Sequence, residues 1–445
     1  MTPLRPSSLS LLSVALGAAL CMPAAHAQSL LDLVTSAQTY DTTWQSARAQ
    51  LEASARRADQ ARAGLLPSVG LSSGITRSNV DLSRPPIQNT GTAQTVGINA
   101  SQPLYRPANR ITLQQGQRGV DIAQAQLDAA SQDLLVRVSQ AYFDVLAAQD
   151  TLTFVQAQKA AVSEQLASAK RNFEVGTTTV TDSREAQARY DLVIAQEIAA
   201  ENDLRVKHLA LDQLVGVGNA QPQPLALPMQ VPSVMPDNVA AWVETARDQQ
   251  PAVRQAAIAL DIARLETKKA ETGHLPTVDL QAGYNINRNV NGTITSPGVT
   301  NRANSASVGV AFNLPLFAGF AVQNRVKETL ALEDKAAADL ETTRRSVAQA
   351  TRTAFFGVQS GQGQVQALEA AEASSQSALD ANKLGYQVGV RINIDVLNAQ
   401  SQLFQTKRDL AQASYNVLLG TLKLRQAAGT LTLDDVQAIN ALLVR

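Results

Sequence analysis

Two aspartates, Asp182 and Asp395, lie 213 residues apart, and each follows a glycine, Gly176 or Gly389, by six residues. They sit in near-twin stretches, NFEVGTTTVTDSREAQ (172–187) and GYQVGVRINIDVLNAQ (385–400). A carboxylate just past a turn can cap the free backbone N–H groups of a starting helix and meet the positive end of its dipole. Glu185, three residues after Asp182, has the spacing of a capping box. The glycines read as left-handed stops for the helices that come before. Each stretch therefore predicts a descending helix, a turn and an ascending helix that begins at the aspartate.

Other chemistry is hard to build from this chain. His208 and His274 are far apart and have no companion ligands at metal-site spacing. No GxxxxGK[ST] phosphate loop occurs, so no nucleotide-driven step is implied, and no GxSxG nucleophile motif is present. An enzyme reading lacks a catalytic constellation, and no cofactor or metal is implied. Trp44, Trp242, Tyr142 and Phe143 fall on helical faces and read as packing residues.

The elements that carry the twin stretches must be long helices. Ala, Gln, Leu and Val dominate, and aromatic residues are only 4% of the 445, which favours closely approaching helices over large aromatic cores. Arg5, the apolar run LLSVALGAALCM (11–22) and the small-x-small Ala25-His26-Ala27 read as a signal peptide over residues 1–27, with Gln28 as the new N-terminus. The only cysteine, Cys21, follows Leu20, which is too large for a lipidation site, so the mature chain is expected to lack thiol and lipid. Basic and acidic side chains balance at 38 each, which excludes nucleic acid as an obvious partner.

The duplication extends far beyond the twin turns. LPSVGLSSG (66–74) answers to LPTVDLQAG (275–283), AYFDVLAAQ (141–149) to AFFGVQSGQ (354–362), and LDQLVG (211–216) to LRQAAG (424–429). Two repeats are expected, 28–216 and 238–429. A proline-rich linker, 217–237, joins them, and a short tail, 430–445, follows with little structure of its own.

Each half changes hydrophobic period in the same order. A helical stretch (43–64, 252–273) gives way to period-two alternation through Val69, Leu71, Val96 and Ile98, or through Val278, Leu280, Val308 and Val310. Two hairpins are predicted, turning around RPPIQNTG (84–91) and NVNGTITSPGVTN (289–301). After Pro103 and Pro315 the helical period returns. Its seam runs from Leu127 through Leu134, Val145 and Val162 to Phe173 in steps of 3, 4 or 7, and repeats 213 residues later. Such a seam belongs to a supercoiled helix about 100 Å long.

Four alternating strands cannot close a sheet, and the smallest membrane barrels take about eight, so closure requires several chains. The fold class is therefore an α+β membrane protein, internally duplicated, in which long coiled-coil helices accompany four strands per chain. A soluble periplasmic coiled-coil adaptor would share the leader and the heptads, but it leaves the repeated strands unexplained.

The residues LPxVxLxxG, the PLY and PLF marks at 103–105 and 315–317, and VGVRINIDVLNAQ at 388–400 resemble the TolC family of outer-membrane exit ducts, over nearly the whole mature length. The resemblance implies a homotrimer with a twelve-stranded barrel in the outer membrane and a helical tunnel in the periplasm. It further implies opening by a periplasmic adaptor and an inner-membrane ABC or RND pump, in multidrug efflux or type I protein secretion. By matching positions, Thr181 and Asp182 would hold the tunnel tip shut through Tyr386 and Arg391, and Asp395 would form a threefold acidic ring. Asn398 stands where the family often has a second acidic residue, so a doubled ring is not expected. The apparent lack of a lipidated cysteine leans towards the non-lipidated branch.

Overall fold

The computed structural model describes residues 28–84, 86–225, 235–293 and 296–443. The expected leader with Cys21, and residues 226–234 of the expected linker, lie outside the described residues. The first half runs α1 (Leu30–Tyr40), α2 (Thr42–Ala63), β1 (Ser68–Ser83), β2 (Pro86–Tyr105), α3 (Pro107–Glu174) and α4 (Val180–Val215). The second runs α5 (Val239–Gln249), α6 (Pro251–Glu271), β3 (Thr277–Val290), β6 (Asn301–Asn313), α7 (Ala321–Gln387) and α8 (Asn393–Ala428). Two-residue strands β4 (Gly292–Thr293) and β5 (Ser296–Pro297) lie between β3 and β6, and α9 (Leu433–Asn440) closes the chain.

Helices α3 and α7 contain 68 and 67 residues, each about 100 Å of helix at roughly 1.5 Å per residue. The predicted seams are buried along most of their course: Leu134, Val138, Val145, Val155 and Val162 in α3, and Leu340, Val347, Val358 and Leu379 in α7. Phe173 departs from that reading. It is 45% exposed, because the seam runs out where α3 reaches its terminal turn.

The chain packs as two compact units, and both halves contribute to each. The first comprises the described parts of 1–45, 131–243 and 350–445. Its core gathers Leu30, Leu33, Leu134, Tyr142, Phe143 and Leu418. The Tyr142 hydroxyl donates to the Gln223 carbonyl (2.7 Å), and Phe143 stacks on Tyr415 with ring centroids 5.8 Å apart. The Tyr415 hydroxyl donates to Asp150 (2.7 Å), a carboxyl whose pKa is raised because burial disfavours its charged form. The tail, expected to hold little structure beyond packing near the linker, contains a helix. Thr432 and Asp435 form a capping box that starts α9, and Val436 and Ile439 sit in this core, so the amphipathic segment gains more from burial than it loses in ordering.

The second unit, 46–130 and 244–349, contains one antiparallel sheet in the order β1-β2-β3-β6. The two predicted hairpins thus lie side by side, with β2 of one half paired to β3 of the other along Thr92↔Val290 to Tyr105↔Val278. The first hairpin loop is shorter than the expected 84–91. The ladder runs to Ser83↔Pro86, because proline is tolerated at the first position of a strand and the residues after it can pair. One face of the sheet carries Val69, Leu71, Val96, Ile98, Ile286 and Val310. The opposite face carries glycine, serine, threonine and asparagine, linked by bonds such as Thr95 Oγ1 to Asn287 Oδ1 (2.6 Å). The apolar face is open in the single chain: Leu71 is 74% and Val308 79% exposed. Among the described residues, no helix is long and apolar enough to cross a membrane.

Candidate functional site at the helix-to-helix turns

All the predicted site residues lie in the first unit, at the two turns that join α3 to α4 and α7 to α8. The turns share one backbone design. Gly176 and Gly389 adopt φ of 76° and 79°, left-handed values that a side chain would strain. In the first turn Gly176 N–H donates to the Phe173 carbonyl (3.0 Å) and Thr177 N–H to the Asn172 carbonyl (2.9 Å). In the second, Gly389 donates to Tyr386 (3.1 Å) and Val390 to Gly385 (2.9 Å). Both are Schellman closures, which satisfy the last carbonyls of the descending helices.

The ascending helices begin differently from the sequence expectation. Thr179, not Asp182, is the N-cap of α4, with extended backbone (φ −86°, ψ 158°). Asp182 occupies the third helical position. It accepts from Thr179 N–H (3.2 Å) and Thr179 Oγ1 (3.1 Å), while its own N–H donates to Thr179 Oγ1 (3.3 Å). Asp182 thus supplies the carboxylate of the capping box, the role that the spacing assigned to Glu185. The helix simply starts three residues earlier than expected, where a β-branched hydroxyl residue already favours the extended N-cap conformation. Thr181 is exposed on the first turn of α4.

Asp395 holds the same third position in α8, but here Ile392 stands at the N-cap and offers no side-chain bond. The Asp395 carboxylate instead meets Arg391, 3.6 Å away and four residues earlier. Arg391 is largely exposed, so the pair is a solvent-screened one. Among the described residues of the single chain, no ion pair joins Arg391 to Asp182.

Tyr386 is brought to the first helix pair through a residue the sequence reading passed over. Its hydroxyl accepts from Asn172 Nδ2 at 3.1 Å, one residue before the end of the α3 seam, and its ring packs beside Leu379, Val396 and Leu403. Asn172 belongs to a run at seven-residue spacing with Gln165 and Gln158. Gln165 bonds the buried Asn393, and Gln158 donates to Ser401 Oγ (3.3 Å). A fourth link runs from Arg189 to Asn398 (2.8 Å). The heptad spacing of the three amides was visible in the sequence, but their partners were not. Beneath them, Leu397 of α8 inserts among Val155, Val162, Leu166, Ala186 and Val193 of the first pair. Within that first pair, Lys159 Nζ contacts Glu197 at 2.5 Å, and this hydrogen bond holds the lysine above its ordinary pKa. Several buried amide atoms keep no protein partner, including Asn393 Nδ2 and the Gln158 and Gln400 side-chain oxygens. A polar seam of this kind is one that can part at less cost than a wholly apolar one.

Long paired helices joined by tight turns and a four-stranded sheet with one bare apolar face define a membrane-anchored duct subunit. The sequence profile described as outer membrane efflux protein matches residues 33–217 and again 242–430, and the chain belongs to that family. It is 34% identical to the outer membrane protein TolC of Vibrio cholerae serotype O1 over 418 residues, 94% of each chain. It is 30% identical over 440 residues to the proteases secretion protein PrtF of Dickeya chrysanthemi, across 94% of this chain and 91% of that one. The fold matches the crystal structure of CusC with a TM-score of 0.79 at 17% identity, covering 91% and 92% of the two chains. The protein is an outer-membrane exit duct with its helical tunnel in the periplasm.

Proposed function

We propose that the protein works as a homotrimer that receives cargo from an inner-membrane ABC or RND pump through a periplasmic adaptor and releases it outside the cell. The observation that carries this reading is the four-stranded sheet with two unpaired edges, β1 and β6, and one exposed apolar face. Unpaired edges and a bare apolar face are not stable in a bilayer, and three copies joined edge to edge give a closed twelve-stranded barrel. The relatedness to PrtF favours protein secretion as one use of the duct.

The tip residues serve as the gate in this reading. Asn172 and Tyr386 tether the second helix pair to the first, Arg391 engages carboxylates near the turns, and the Asp395 carboxylates gather around the threefold axis to concentrate cations. Asp182 with Thr181 provides the facing acidic turn. Planar-bilayer recording with native mass measurement tests the proposal. A trimer that forms long-lived, cation-selective pores is expected. A monodisperse monomer without conductance would overturn it.

A further inference from the structure

The apolar face of the sheet ends in a row of a different kind. The register aligns Ile75, Gln94, Arg288 and Arg302 across the four strands, one row beyond Ser73, Val96, Ile286 and Asn304. Arg288 and Arg302 are therefore directly opposite each other on the antiparallel pair β3–β6. Directly opposed residues have Cβ atoms about 4.5–5.5 Å apart, and like charges there repel. Neither arginine has an ion-pair partner among the described residues, and both are exposed. The nearest acid on that face of the neighbouring hairpin, Asp81, is occupied by Gln88 (3.1 Å). A third cation, Arg77, stands one row further along on β1.

Parity places these arginines on the lipid side. Arg288 follows Leu280, Ala282, Tyr284 and Ile286 in steps of two, and Arg302 precedes Asn304, Ala306, Val308, Val310 and Phe312 in the same way. Depth follows from the count. Ten residues separate Phe312 from Arg302 on β6, about 34 Å at roughly 3.4 Å per residue. At the usual strand tilt this projects to about 25 Å, the height of the apolar band of an outer-membrane barrel. Phe312 lies at the strand end that leads towards α7, so the arginine pair lies at the hairpin end, where acyl chains give way to the headgroups of the outer leaflet.

We propose that Arg288 and Arg302 form a binding site for the phosphate-bearing headgroup of an outer-leaflet glycolipid. Two guanidinium forks a few ångströms apart can both engage one phosphate, which turns their repulsion into a shared attraction. The apolar row below, Ile286 with Val96, would lie along the acyl chains of the same lipid. Water alone could solvate two separate arginines, but it supplies no reason to place them opposite each other on the acyl-facing side.

The inference rests on the outer-membrane location and not on the gate, the cargo or the pump. The assembled protein, washed in detergent, is mixed with bis-phosphorylated lipid A and bound lipid is counted by native mass spectrometry. Parallel samples receive the same lipid without its phosphates, or the phosphorylated lipid together with millimolar inorganic phosphate. Retention of the phosphorylated lipid should fall roughly thirtyfold in the double variant Arg288→Gln with Arg302→Gln, as expected for two basic contacts of about 1 kcal/mol each near a membrane surface. The double lysine variant keeps the charge without the forks and should fall between. It also serves as the readout if the glutamine variant does not assemble. Equal retention by wild type and either double variant would overturn the site. So would equal retention of the dephosphorylated lipid, or full displacement by inorganic phosphate, which would mean a general anion site. Conductance of the same wild-type preparation separates failure of this inference from failure of the duct reading.

Discussion

The Arg106 guanidinium holds the Asp279 carboxylate with two parallel bonds, Nε to Oδ1 at 2.8 Å and Nη2 to Oδ2 at 2.6 Å. Arg106 links β2 to α3 in the first repeat, and Asp279 begins β3 in the second. The pair therefore fixes the duplicated hairpins to each other where strand turns into helix, and the carboxylate is almost fully covered while the arginine keeps one side in solvent.

Arg106→Lys keeps the charge but cannot reproduce the two-pronged geometry. The expected loss is about 1–2 kcal/mol after allowance for solvent screening, since Arg106 is only half covered. It should appear as a lower melting temperature of the detergent-solubilised assembly. Asp279→Asn should cost no less, because it leaves a guanidinium without its counter-charge. Equal melting of all three proteins would remove the pair from any role in joining the halves.

At the tip, Tyr386→Phe removes the acceptor for Asn172 without changing ring packing. Single-channel conductance should rise while the assembly stays intact. Arg391→Ser and Asp182→Ala are each expected to raise conductance, and the double variant should add little beyond either change if both act through one latch. Exposed links of this sort contribute only ~0–1 kcal/mol each, but the proposed trimer would sum three of them. Asp395→Asn should instead lower cation selectivity. Unchanged conductance in Tyr386→Phe and Arg391→Ser would leave these residues as packing and surface charge.

Asp41, after the last turn of α1, accepts from Arg137 Nη1 (2.9 Å) and from Trp44 N–H (2.7 Å). The arginine bond holds its carboxyl below the ordinary value of 3.8, against an opposing contribution from burial. A depressed folded-state pKa gives stability that is present above the unfolded value and is lost as pH falls through the folded one. Arg137→Gln should therefore weaken the fold at neutral pH, and the difference from wild type should shrink as pH drops below about 4. Acid titration of the helical circular-dichroism signal checks this. A difference that persists unchanged at the lowest pH would assign the effect to lost packing.

The C-terminal helix offers a test in the first unit's core. Val436 is fully buried, Arg425 pairs with Asp435 (2.7 Å), and the Asn440 side chain accepts from Leu31 N–H (3.3 Å). Val436→Ala is expected to cost about 1–2 kcal/mol, read as earlier thermal unfolding, and removal of residues 431–445 should cost more. A truncated protein as stable as the full chain would return the segment to a dispensable tail.

The sequence by itself determined what repeats and what alternates. The twin stretches, the period-two runs around Val69 and Val308, and the seam from Leu134 to Val162 are local patterns, and local periodicity dictates strand or helix wherever the apolar side must be covered. The turn glycines were legible for the same reason, because Gly176 and Gly389 end helices through their own backbone freedom. Tertiary structure alone decided which residues meet. Asp182 became the partner of Thr179 rather than a cap, because the helix start moved by one turn, and nothing local forbids that shift. Asn172 found Tyr386, and β2 lay beside β3, because cross-helix and cross-strand partners depend on the axial register of elements more than 170 residues apart in the chain. Val436 entered the core only because α1 lay there to cover it. Burial of a short amphipathic segment is decided by the surface it meets.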